Sequence, residues 1–107
     1  MQFTRRLHDG IRSGDITVSV RIWKQPRVRV GNRYRFPGGA IEIDALREIE
    51  LADITPHLAR RSGFNGVVDL LKIAKHGRGE KVYLVEFHYL DAKSLEAKSL
   101  GARGKEE

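Results

Sequence analysis

The sequence predicts an α+β fold, a partly open mixed β-barrel with flanking helices. Two observations carry that expectation. Segments of two-residue apolar alternation recur along the chain, and shorter segments with three- and four-residue apolar spacing stand among them. Their order is helix, several strands, two helices, strand. Local pairing of the middle strands, with the last strand returned beside the first, gives a curled mixed sheet whose ends the helices cover. The 107 residues suffice for one compact domain. The pattern divides them into a domain at 1–90 and a flexible C-terminal tail at 91–107.

Residues 3–12 read as a short helix, because Phe3, Leu7 and Ile11 share one stripe. Gly14 stops it, since glycine enters the left-handed region without a Cβ clash. Residues 16–23 alternate, with Ile16, Val18, Val20 and Ile22 on one side and Thr17, Ser19, Arg21 and Trp23 on the other. That is the pattern of a strand with one face in the core. Lys24 to Val30 contains Pro26 and reads as a loop or sheet edge, and Gly31-Asn32 reads as a turn. A short strand spans Arg33 to Phe36, followed by a second turn at Pro37-Gly38-Gly39. Residues 40–51 set Ile41, Ile43, Ile49 and Leu51 against Glu42, Asp44, Glu48 and Glu50. The phase stumbles at Leu46-Arg47, which predicts a β-bulge or a tight turn there.

Thr55 before Pro56 starts a helix that runs to about Ser62 and stops at Gly63. Asn65 is placed to cap the next helix, residues 66–76, whose buried stripe is Val67, Leu70, Leu71 and Ala74 and whose stop is Gly77. Residues 81–89 form the clearest strand, with Val82, Leu84, Phe87 and Tyr89 among Lys81, Tyr83, Glu86 and His88. The tail carries the direct repeat Ala-Lys-Ser-Leu at 92–95 and 97–100 and too little apolar surface to demand order.

The chain has no cysteine, which excludes a disulfide scaffold, a cysteine zinc site, an iron–sulfur cluster and thiol catalysis. It fits a reducing cytosol. Charged residues begin at Arg5 and Arg6, and no apolar run has the length of a signal peptide or a membrane span. The expectation is a cytoplasmic protein with no membrane partner. The histidines at 8, 57, 76 and 88 are scattered without ligand spacing on one element, so neither a metal nor another cofactor is expected. The acids from Glu42 to Asp53 read as a solvated strand face rather than a magnesium site.

Formal net charge is +6. Charge of this sign favours polyanions through counterion release. No acid occurs between Asp15 and Glu42, where Arg21, Lys24, Arg27, Arg29, Arg33 and Arg35 fall, and a second basic group follows at Lys72, Lys75, His76, Arg78 and Lys81. Alternation puts Arg27 and Arg29 on one side, as a phosphate-tracking surface requires. The competing reading is a charged edge guarded against aggregation. Lys72, Lys75 and His76 would form an opposite wall, or would simply complement a helix C-terminus. Arg21 would hold a phosphate or base edge in its guanidinium fork, or pair with an acid such as Glu86 across the sheet. Trp23 would stack a base, or lie as a lid on the core.

Taken together, the leading helix with its Gly14 stop, the strand Thr17-Val18-Ser19-Val20-Arg21, the block Ala59-Arg60-Arg61-Ser62-Gly63-Phe64 and the closing strand Val82-Tyr83-Leu84-Val85-Glu86-Phe87 resemble an ASCH domain. The resemblance covers residues 3–90 in order. It implies a barrel similar to the PUA RNA-binding domains, with a cleft associated with RNA or modified nucleosides. Some bacterial relatives are amidohydrolases of acetylated cytidine and use a lysine, a threonine and a glutamate. Carried onto this chain, the lysine position falls on Ile16, the threonine position on Ser19 and the glutamate position near Ser62. Isoleucine cannot hold an oxyanion, and serine is no general base at neutral pH.

The function expected is therefore binding of RNA, a nucleotide or single-stranded DNA in a cationic cleft between barrel and helices. Thr17, Ser19 and Arg21 would line its floor, with Lys24, Arg27, Arg29, Arg35, Lys72, Lys75 and His76 at the rim. The alternatives are a hydrolase, either an altered amidohydrolase or a single-strand ribonuclease drawing on Ser19, Lys24 or His76, and a domain that binds an acidic protein partner.

Overall fold

The computed structural model describes residues 1–74 and 81–96. At its centre is a four-stranded sheet in the order β1-β4-β3-β2. The strands are β1 (Val18–Trp23), β2 (Arg33–Phe36), β3 (Gly39–Ile49) and β4 (Lys81–Asp91). Every neighbouring pair is antiparallel. The fold is α+β, but the sheet is not mixed. β1 and β3 point the same way, so pairing them directly would give a parallel ladder; β4 lies between and runs against both. Among the described residues β1 and β2 remain as free edges, and the sheet is not closed into a barrel.

Both faces of the sheet are covered, which corrects the expectation that β1 carries one core face and one polar face. On the first face, Ile41, Ile43, Val85, Phe87 and Phe36 pack with Leu7, Ile11 and Val28. Leu7 closes a 3₁₀ turn (Arg5–Leu7), Ile11 sits on α1 (His8–Ser13), and Val28 comes from the connection between β1 and β2. On the second face, Val18, Val20, Val82 and Leu84 meet Ile54, Ala59 of α2 (Pro56–Arg61) and Leu70 of α3 (Val67–Ala74). β4 is thus apolar at consecutive positions, with Val82 to Val85 all buried, as a strand covered on both sides requires.

The bulge in β3 lies earlier than the sequence phase placed it. Ile43 registers with Phe87 and Ala45 with Glu86, so Asp44 is the extra residue. Its effect is to swap the faces of everything that follows. Ile41 and Ile43 join the first core, whereas Ile49 packs against the second. Leu51 belongs to neither; it sits in a 3₁₀ turn (Leu51–Asp53) and is exposed.

The helix starts and stops follow their local chemistry. Gly14 ends α1 with φ 86°, and Gly63 follows α2 with φ 94°. Thr55 Oγ1 accepts a hydrogen bond from the Leu58 amide at 3.1 Å, the expected N-cap of α2. At α3 the roles are reversed from expectation: Asp69, in the first turn, accepts from the Asn65 amide at 2.9 Å. Phe3 precedes the helical turns, because residues 1–4 take no regular structure. β4 extends through Asp91, and residues 92–96 are helical, with Asp91 Oδ1 accepting from the Ser94 amide. The expected end of α3 near Gly77 and the rest of the tail lie outside the described residues. Among the described residues no helix is long and apolar enough to cross a membrane.

Candidate functional site

β1 aims Ser19, Arg21 and Trp23 at the first face, where they register with Val85, Tyr83 and Lys81. Arg21 is half-buried. Its Nε donates to Ser19 Oγ at 2.8 Å, and its Nη2 donates to the carbonyl oxygen of Gln2 at 2.6 Å. The guanidinium carbon lies 4.7 Å from the centroid of the Phe3 ring. Among the described residues no carboxylate pairs with it. Glu86, the partner considered across the sheet, registers with Val18 and therefore faces the other way. Glu48 shares the face through Tyr83 but stands two strands off, a span of roughly 10 Å. Burial without a counter-charge pulls the Arg21 pKa down to about 10, so the group stays protonated at neutral pH. The Met1 amine is pushed down as well, by burial first and then by the charge of Arg21.

The remaining sequence candidates divide by position. Thr17 directly precedes β1, and its carbonyl accepts from the Phe87 amide at 2.9 Å. Trp23 packs against the first core with its ring 5.8 Å from that of Tyr83, so it is a lid on that core. Lys24, Arg27 and Arg29 are exposed on the connection that crosses the same face. Val28 plugs the core at 3% exposure and thereby turns Arg27 and Arg29 outward together. The alternation ends there, because Asn32 bonds back to the Arg29 carbonyl and leaves Val30 exposed. Among the described residues none of Lys24, Arg27 and Arg29 is held in an ion pair.

Arg35 and Lys72 stand apart from this group. Arg35 alternates away from the buried Phe36 and pairs in register with Ala40, on the opposite face. Its neighbour Arg33 is bound to Glu42 at 2.9 Å. Lys72 rides on α3, which also covers the opposite face. It is thus separated from Arg21 by the sheet and forms no wall facing it. Lys75 and His76 lie outside the described residues.

Ile16 and Ser62, singled out in the sequence for the hydrolase alternative, are both taken up by packing. Ile16 lies against Gly10 and Gly63, so close that a methyl on Gly63 would approach its Cδ1 to 2.8 Å. Ser62 is 2% exposed, and its hydroxyl donates to the carbonyls of Leu58 and Ala59. Ile16 and Gly63, next to Ser62, are therefore neighbours in space. Ser19 is 8% exposed, and its hydroxyl is engaged by Arg21.

One cluster was not foreseen. Glu42, Asp44 and His88 bring ligand-type atoms within 4.8 Å of one another. His88 Nδ1 lies 2.8 Å from Asp44 and Nε2 lies 3.6 Å from Glu42. Two features assemble it: the Glu42–His88 register and the bulge at Asp44, which keeps Asp44 on the face of Glu42. Both depend on the pairing of distant strands; the local signals were the acids Glu42 and Asp44, read as a solvated face, and the phase slip in β3. The chain matches no protein-family model, no curated protein and no solved structure.

Proposed function

We propose that the protein is a cytoplasmic ASCH-type module, related to the partly open PUA-like barrels, that binds RNA or a nucleotide. Arg21 is the central anion contact, Ser19 positions it, and Lys24, Arg27 and Arg29 supply flanking phosphate contacts. The observation that carries this reading is Arg21 itself: a half-buried guanidinium with a depressed pKa and no carboxylate among the described residues. A charge held in that way is completed by an oxyanion from outside, and phosphate suits the fork. The unpaired cations on the same face extend the attraction along a backbone. Binding is favoured over hydrolysis because Ile16 and Ser62 offer neither an oxyanion donor nor a general base where the relatives use them.

The test is fluorescence anisotropy of labelled single-stranded RNA, single-stranded DNA and duplex at two salt concentrations, with the RNA rerun on a gel. The expected result is binding that weakens with salt and leaves the RNA intact. Cleaved RNA would move the function to a ribonuclease. Failure to bind any polynucleotide or nucleotide would overturn the proposal in favour of a protein partner.

A further inference from the structure

We infer that Gln2 and Phe3 act as a built-in stand-in for the ligand at Arg21, and that a nucleotide binds by displacing them. The inference rests on Arg21 being the ligand contact and adds what the ligand must replace. The carbonyl oxygen of Gln2 sits on Nη2 at 2.6 Å, and the Phe3 ring lies over the guanidinium at 4.7 Å. A nucleotide makes the same two contacts with a phosphate oxygen on the fork and a base stacked on the plane. Those two places on Arg21 are already occupied, so ligand and segment compete.

The segment is suited to being displaced. Residues 1–4 belong to no helix or strand. Thr4 Oγ1 is buried without a hydrogen-bond partner among the described residues, a cost that exists only while the segment is docked and that release into water removes. What holds the segment is the Phe3 ring against Phe36 and Phe87, at 5.8 and 5.3 Å, together with contacts at its backbone: His8 Nε2 at 3.2 Å from the Phe3 carbonyl, and the Leu7 amide on the Thr4 carbonyl at 3.0 Å. Phe3 is half-buried, in contact both with those rings and with Arg21. A base in its place restores both contacts. The ligand must therefore carry an oxyanion and a planar ring together, and inorganic phosphate, which replaces only the carbonyl, is a poor competitor.

The test uses the full chain with 4-fluorophenylalanine at position 3, followed by fluorine NMR during titration with a short oligouridylate and, separately, with inorganic phosphate at matched ionic strength. The resonance should move toward that of solvent-exposed fluorophenylalanine as the oligonucleotide saturates, and should stay in place with phosphate. Phe3→Leu keeps apolar volume but has no π face, so it should bind the oligonucleotide about two- to fivefold more tightly. A fluorine resonance unmoved at saturation, with binding still dependent on Arg21, overturns the inference and leaves the RNA-binding reading intact, whatever Phe3→Leu does. Full displacement by phosphate alone overturns the two-part ligand. Absence of any nucleotide or oligonucleotide binding overturns both readings.

Discussion

Replacing Arg21 by methionine separates a functional arginine from a structural one. Its pKa falls well below the ordinary arginine range, to about 10, with burial as the cause. At about 1.4 kcal/mol per unit, keeping the guanidinium charged in place costs roughly 3 kcal/mol. The folded pKa lies below the unfolded one, so the unfolded chain holds the proton longer. Stability therefore rises with pH from about 10 up into the ordinary arginine range, and below that window the whole penalty is present. Against the penalty stand two hydrogen bonds from the charged donor, to Ser19 and Gln2, worth about 1.5 kcal/mol each. The Phe3 contact adds about 0.5–1 kcal/mol. These terms cancel to within about 1 kcal/mol. Arg21→Met is therefore expected to unfold in urea within about 1 kcal/mol of the parent, followed by far-UV circular dichroism, and to lose RNA affinity. Ser19→Ala in the same background removes the orphaned hydroxyl and should bring the two curves closer. A loss above about 3 kcal/mol in both variants would refute the reasoning and make Arg21 a keystone of the fold.

Four further outcomes follow from the packing. Leu70→Ala empties a fully buried position between α3 and β1 and should cost about 2–5 kcal/mol in urea unfolding; a cost below about 1 kcal/mol would mean that α3 does not hold that core. Thr55→Ala removes the α2 N-cap and should cost about 1 kcal/mol, with no change if the cap is idle. Gly39→Ala drives a methyl into the Leu90 carbonyl oxygen on β4, so hydrogen exchange at the β3–β4 end should quicken, and an unchanged exchange map would count against the pairing. Asp69 has a pKa held below the usual range, first by the Asn65 amide and then by Arg6. Its contribution is present above the unfolded carboxylate range and is lost as pH falls through the folded value, so Asp69→Asn should flatten the acid limb of the stability curve. Parallel acid limbs for the two proteins would contradict this.

Local chemistry made much of the fold legible. The strand character of β1 and β4, the Thr55-Pro56 start and the glycine stops at Gly14 and Gly63 each arise within a few residues, and each lies close to where the sequence placed it. The outward turn of Arg27 and Arg29 was legible for the same reason, because Val28 between them had to find the core. Long-range pairing hid the rest. The bulge belongs to the β3–β4 register, so its position at Asp44 and the face of Ile49 follow from a strand far along the chain. The last strand lies beside the first, as expected, but its simultaneous pairing with β3, which makes the sheet antiparallel throughout, is encoded by no local pattern. At the site, the row of Thr17, Ser19 and Arg21 was visible, but the cover over Arg21 was not: Phe3 fitted a helical stripe, and its contact with Arg21 comes from the approach of the first residues to β1.

The most direct test of the account is the salt dependence of single-stranded RNA binding for the parent and Arg21→Met, measured side by side. Log affinity should fall linearly with log salt, with a slope of roughly −0.7 per phosphate contacted. If Arg21 is the central contact, the variant should bind more weakly at every salt concentration, with a slope shallower by about one phosphate's share. Equal affinity and equal slope for the two proteins would contradict the account, leaving only a diffuse attraction between RNA and a chain of net charge +6.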